Sequence, residues 1–88
     1  MLLVIDIGNT NSVFGVYKDE TLVNHWRLST AIQKTADEYA ILVNSLIHFE
    51  KIRLQDFQSA IISCVVPPLL MPFQQVCSKY IGIEPIVV

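Results

Sequence analysis

Hydrophobic and polar positions along the chain alternate with two different periods, and the change of period divides it into successive elements. Leu2 to Ile7 is a short apolar run broken only by Asp6 and ended by Gly8-Asn9-Thr10-Asn11, four residues that favour turns. Ser12 to Tyr17 resumes a strand-like run, and Lys18-Asp19-Glu20-Thr21 makes a polar turn. Leu22 to Leu28 then alternates, which predicts Leu22, Asn24, Trp26 and Leu28 on one side of a strand and Val23, His25 and Arg27 on the other. Three strands joined by tight turns predict an antiparallel meander.

Helical spacing follows. Thr35-x-x-Glu38 has the form of a capping box, and Tyr39, Leu42, Val43, Leu46 and Ile47 recur as one apolar stripe behind it. Ala60 to Val66 is a β-branched apolar run of strand length, ended by Pro67-Pro68. Leu70, Phe73, Val76, Cys77 and Tyr80 return to helical spacing. Because Pro72 fits a helix best in its first turn, this helix is expected to start near Leu69 to Met71 and to end at Gly82. A last strand begins at Pro85. The order βββαβαβ predicts an α/β fold, a five-stranded mixed sheet flanked by helices, and by analogy of topology it is similar to the ribonuclease-H-like unit that actin-like kinases use twice.

Composition changes this picture in one respect. The chain has 88 residues, 52% of them hydrophobic and 16% charged, with a mean hydropathy of +0.48. A domain of this size hides a modest share of its surface, so part of the apolar surface is expected to meet another chain or further sequence. The net charge is −2 and the six Lys and Arg are scattered, which argues against a nucleic-acid surface. No apolar run is long enough to span a bilayer, and the N-terminus lacks the pattern of a signal peptide. Cys64 and Cys77 form no CxxC pair and read as reduced core residues, as in a cytoplasmic protein.

Asp6-Ile7-Gly8-Asn9-Thr10-Asn11 is where chemistry concentrates. A carboxylate at a strand end is followed at once by a turn containing Gly, a hydroxyl and two amides. Polyphosphate needs backbone N–H groups, short donors and a place for the metal that neutralises it. Gly8 allows close backbone approach, Asn9, Thr10 and Asn11 offer donors, and Asp6 is placed to orient Mg²⁺ through water. The same six residues also suit a hairpin turn selected for geometry alone, and by themselves they leave both readings open. Neither GxxxxGK[ST] nor GxGxxG occurs.

Four blocks extend the pattern: Asp6 to Asn11, Trp26-Arg27-Leu28-Ser29-Thr30, Thr35-Ala36-Asp37-Glu38-Tyr39, and Ser63-Cys64-Val65-Val66-Pro67-Pro68-Leu69. In that order, the chain resembles the type III pantothenate kinases, also called Bvg accessory factors, within the actin-like kinase superfamily. The resemblance implies ATP-dependent phosphorylation of the pantothenate hydroxyl, the first step toward coenzyme A. It implies Mg²⁺, a monovalent cation (K⁺ or NH4⁺) and a cytoplasmic homodimer. The family's ATP-phosphate contacts carry over onto Asp6, Ile7, Gly8, Asn9, Thr10, Asn11, Ser12 and Val13, with Asp6 toward the metal. The family's Gly-x-Asp-Arg block, which holds its general base, does not occur in residues 1–88. No catalytic residue is therefore assigned, and the chain is expected to be an N-terminal ATP-phosphate-binding lobe, inactive alone and lacking a second lobe.

Other residues read more plainly. Arg27 can be read as a charge clamp on phosphate, but a single Arg on an alternating strand better suits a solvated or paired position, and Trp26 better suits packing than base stacking. The capping box accounts for Glu38, and the helix dipole for Asp37. His25 and His48 lack metal-ligand spacing. A non-catalytic nucleotide- or partner-binding module of the same fold is the alternative reading, and a sugar or acetate kinase of the same superfamily a more distant one.

Overall fold

The computed structural model describes all residues, Met1–Val88. Strands β1 (Leu2–Ile7), β2 (Asn11–Lys18) and β3 (Thr21–Ser29) form the meander. Helix α1 (Ala36–His48), strand β4 (Ser59–Cys64), helix α2 (Pro67–Gln75) and strand β5 (Ile86–Val87) complete the order βββαβαβ. The sheet runs β3-β2-β1-β4-β5, antiparallel among the first three strands and parallel from β1 through β4 to β5. β1 is thus central, and its end delivers residues 6 to 11 between an antiparallel and a parallel neighbour.

Both helices cover one face of this sheet. Leu3, Ile5 and Ile7 of β1 are fully buried there, aligned with Val16, Phe14 and Ser12 of β2 and with Ala60 and Ile62 of β4. Phe73 of α2 joins the layers, its ring 5.8 Å from Phe14 below and 4.4 Å from Tyr39 of α1 beside it. Packed aromatic pairs at such distances contribute about 0.5–1.5 kcal/mol beyond their area. The opposite face has no covering layer. Val4, Val13, Tyr17 and Ile61 are half-buried on it and Ile86 is exposed, while further large apolar side chains, Ile41 of α1 and Met71 of α2 among them, are exposed elsewhere.

The capping box forms as expected: the Glu38 N–H donates to Thr35 Oγ1 at 3.2 Å, and the Thr35 N–H to Glu38 Oε1 at 3.0 Å. Gly82 ends the second helical region in the left-handed conformation, with φ 83°. Two expectations differ. α2 starts at Pro67 rather than near Leu69 to Met71. The first N–H groups of a helix have no intrahelical acceptor, so two prolines there lose nothing. Pro72 consequently lies inside the helix, and Val76–Ile81 continues it as a π-helical segment in which the Gly82 N–H reaches back to the Cys77 carbonyl at 2.8 Å. Leu22 does not share a side with Asn24. A register shift places Tyr17 opposite Leu22 and Val16 opposite Asn24, leaving Val23 as an extra residue. Such a bulge turns Leu22 onto the uncovered face, where it lies over Gly15 beside Tyr17.

Candidate phosphate-binding site

Gly8 to Asn11 is the hairpin between β1 and β2. The Gly8 N–H donates to the Asn11 carbonyl at 2.9 Å, and a Cβ at Gly8 would stand 3.1 Å from that same oxygen. Glycine here serves close backbone approach rather than a special φ. The Gly8 carbonyl is taken by the Thr30 hydroxyl at 2.7 Å. Since Thr30 has one hydroxyl proton, its 2.9 Å contact with Ser12 Oγ is a bond that Ser12 donates. The Thr30 N–H adds a bond to the Thr10 carbonyl at 2.8 Å. One residue beyond β3 thereby fixes both flanks of the turn.

These bonds engage carbonyls and leave donors outward. The N–H groups of Asn9 and Thr10 have no acceptor within the chain, and both residues are exposed. Two adjacent unpaired amides at this turn, with the exposed Asn9, Thr10 and Asn11 side chains around them, make it a candidate anion site. Asp6 is one residue from the strand end on the uncovered face, exposed, between Val13 of β2 and Ser63 of β4. The β4–α2 corner borders the turn, because the Val65 N–H donates to the Ile7 carbonyl at 3.1 Å. With Pro67 and Pro68 leading it, the start of α2 offers few N–H donors of its own.

Of the eight residues carried over, Asp6, Asn9, Thr10 and Asn11 present side chains to solvent, and Gly8 and Val13 are half-buried. Ile7 and Ser12 are fully buried and turn toward the helices, so only their backbone faces the turn. Thr30, the residue that braces the turn, carries no distinguishing sequence signal beyond its place at the end of the second block.

Elsewhere the polar groups are structural. Asp37 accepts from Lys79 Nζ at 3.0 Å and from the Tyr80 phenol, tying the start of α1 to the π-helical segment. The Tyr80 and Lys79 donors hold the Asp37 carboxyl below its usual range. Cys77 is buried, and desolvation pushes its thiol up to about 11. Cys64 is half-buried and its thiol donates to the Val66 carbonyl at 3.1 Å. No group of three or more His, Cys, Asp or Glu converges that could by itself hold a metal ion. A shallow groove of ≈ 260 Å³ lined by Ala40, Ile41, Asn44, Leu54, Gln55 and Tyr80 lies on the helical side, away from the turn.

A five-stranded mixed sheet with both helices on one face and a hairpin at the end of its central strand defines a ribonuclease-H-like half of the actin/Hsp70-like fold. The backbone is similar to that of a Porphyromonas gingivalis protein assigned as an N-acetylglucosamine kinase, with a TM-score of 0.67 at 14% identity, over 100% of this chain and 33% of that one. It is also similar to the ethanolamine utilization protein EutJ from Carboxydothermus hydrogenoformans, with a TM-score of 0.63 at 15% identity, over 97% and 42%.

Sequence narrows the class further. The family model for type III pantothenate kinase matches residues 2–88, and the chain belongs to that family. Type III pantothenate kinases from Halalkalibacterium halodurans and Syntrophus aciditrophicus are 52% and 50% identical to it over all 88 residues. The chain spans 35% of the length of each of these relatives.

Proposed function

We propose that this chain supplies the ATP-phosphate-binding hairpin for phosphorylation of the pantothenate hydroxyl. The observation that carries the reading is the pair of unpaired N–H groups at Asn9 and Thr10, on a turn held rigid by Thr30 and flanked by the exposed carboxylate of Asp6. Family membership supports pantothenate as the substrate, and K⁺ or NH4⁺, a homodimer and a cytoplasmic setting belong to the same proposal. No helix is long and apolar enough to cross a membrane.

Phosphoryl transfer rests mainly on positioning and on stabilising charge that spreads over the transferred group. The hairpin amides would fix phosphate oxygens without reorganising, since Thr30 already holds the turn. A single exposed carboxylate fits Mg²⁺, which keeps several waters and takes its remaining ligands from phosphate. When bound, Mg²⁺ would neutralise the phosphates, with Asp6 orienting it through water. The chain contains no Gly-x-Asp-Arg block, so the group that takes the proton from the substrate hydroxyl is proposed to come from sequence outside residues 1–88.

The test is pantothenate phosphorylation by a polypeptide extended to the length of its relatives, with and without Asp6→Ala. Loss of turnover with folding retained is expected. Full activity of the Asp6→Ala protein would remove Asp6 from the mechanism.

A further inference from the structure

We propose that Arg27 is a phosphate-contacting residue of this site, reaching a bound nucleotide's outer phosphates across the uncovered face of the sheet from Asp6. The inference rests on the reading of the hairpin as a phosphate site. Sequence alternation alone makes Arg27 an ordinary solvated position. The sheet register places it more narrowly.

Asp6 is paired with Val13, and Val13 with Arg27, so the three lie in one row across β1, β2 and β3. Residues in one row point to the same side of a pleated sheet. Asp6 is exposed on the uncovered face, and Arg27 is exposed there with it. Two strand spacings separate them, about 10 Å at the backbone. Within that row only the half-buried apolar side chain of Val13 lies between, and the exposed Asn11, His25 and Ser29 flank it on the same face. The next rows hold Ile7, Ser12 and Leu28, then the hairpin itself, so the Arg27 row borders the turn.

The other cations do not serve this position. Lys79 is paired with Asp37 and Arg53 with Asp56. Lys18 closes the far end of β2 against Thr21. Lys51 and Arg53 lie in the connection that enters β4 at Ser59, aligned with Leu2 at the opposite end of β1. Lys34 stands near Glu38, whose carboxyl is held low first by the Thr35 N–H and only weakly by that lysine. Arg27 has no ion pair and no hydrogen bond within the chain. A polyphosphate approaching two amides beside the charge of Asp6 gains from positive charge on that face in addition to that of Mg²⁺. A guanidinium supplies it with a fork that matches phosphate oxygens.

The experiment is a titration of the ¹⁵N-labelled 88-residue chain with Mg²⁺–tripolyphosphate, followed at the Asn9 and Thr10 amides and the Arg27 Nε–H. Arg27→Ala is expected to weaken binding about tenfold, the lower end of what a charged hydrogen bond supports. Arg27→Lys should fall between, and Arg53→Ala, which removes equal charge at the far end, should leave affinity unchanged. Equal affinities for Arg27→Ala and Arg53→Ala would overturn the role of Arg27 while leaving the hairpin reading intact. Absence of any shift at Asn9 and Thr10 in the unaltered chain would overturn both.

Discussion

The Thr30 hydroxyl donates to the Gly8 carbonyl at 2.7 Å, joining the end of β3 to the turn between β1 and β2 across 22 residues of sequence. The same oxygen accepts from Ser12, whose side chain is fully buried. The turn is therefore held before any ligand arrives, and its two outward N–H groups are fixed in place.

Replacing Thr30 tests that bracing. Thr30→Val keeps the shape but removes the proton for Gly8 and the acceptor for Ser12, leaving a buried hydroxyl unpaired. A loss of about 1–3 kcal/mol in urea unfolding is expected, with Thr30→Ser close to the unaltered chain. Faster amide exchange in the turn should accompany it. Equal stabilities for Thr30→Val and Thr30→Ser would show that the hydroxyl contributes nothing.

Two glycines should respond oppositely to alanine. At Gly8 the added Cβ stands 3.1 Å from the Asn11 carbonyl oxygen, which is itself engaged by the Gly8 N–H, so Gly8→Ala should distort the turn and weaken phosphate binding. At Gly15 the added Cβ meets Leu22 and Tyr17 side chains at 3.7 Å, an ordinary contact. Gly15→Ala should stabilise the strand by about 0.5–1 kcal/mol and leave binding unchanged. Thermal unfolding and the phosphate titration read both.

Alkaline stability should report Cys77. Its thiol is raised from 9.0 to about 11 by burial, with the Glu84 charge adding to it. Between those values the folded chain holds a proton that the unfolded chain has released. This contribution is complete below pH 9 and lost as pH rises toward 11. Cys77→Ala should accordingly show a shallower decline over that window than the unaltered chain. At pH 8 a disulfide reagent should modify Cys64 first and reach Cys77 only on unfolding. Parallel declines, or equal reaction of both thiols, would contradict the assignment.

The elements were legible because their signals are local. The Thr35–Glu38 box spans one helical turn, the Gly82 cap one residue, and the alternation of β3 from Asn24 onward holds in the half-burial of Asn24, Trp26 and Leu28. The four sequence blocks likewise pointed to the family that the comparisons show. What escaped depends on pairing between distant residues or on where a single backbone bond goes. The bulge that turns Leu22 over is set by its register against Tyr17. The early start of α2 follows from which N–H groups need acceptors, and proline alone suggested only a limit near Pro72. Thr30 matters through Gly8 and Ser12, and Arg27 shares a row with Asp6 only because β2 lies between them. The bare sheet face depends on both helices packing on the same side, a choice that spacing does not encode.

The most direct test of the phosphate-hairpin account is paramagnetic broadening of the ¹⁵N-labelled chain by Mn²⁺–ATP, with Mn²⁺ standing in for Mg²⁺. Losses are expected to centre on Asp6 and Gly8 to Asn11, with the groove at Ala40, Asn44 and Tyr80 unaffected. Broadening centred on that groove, or spread evenly over the chain, would place nucleotide elsewhere and contradict the account.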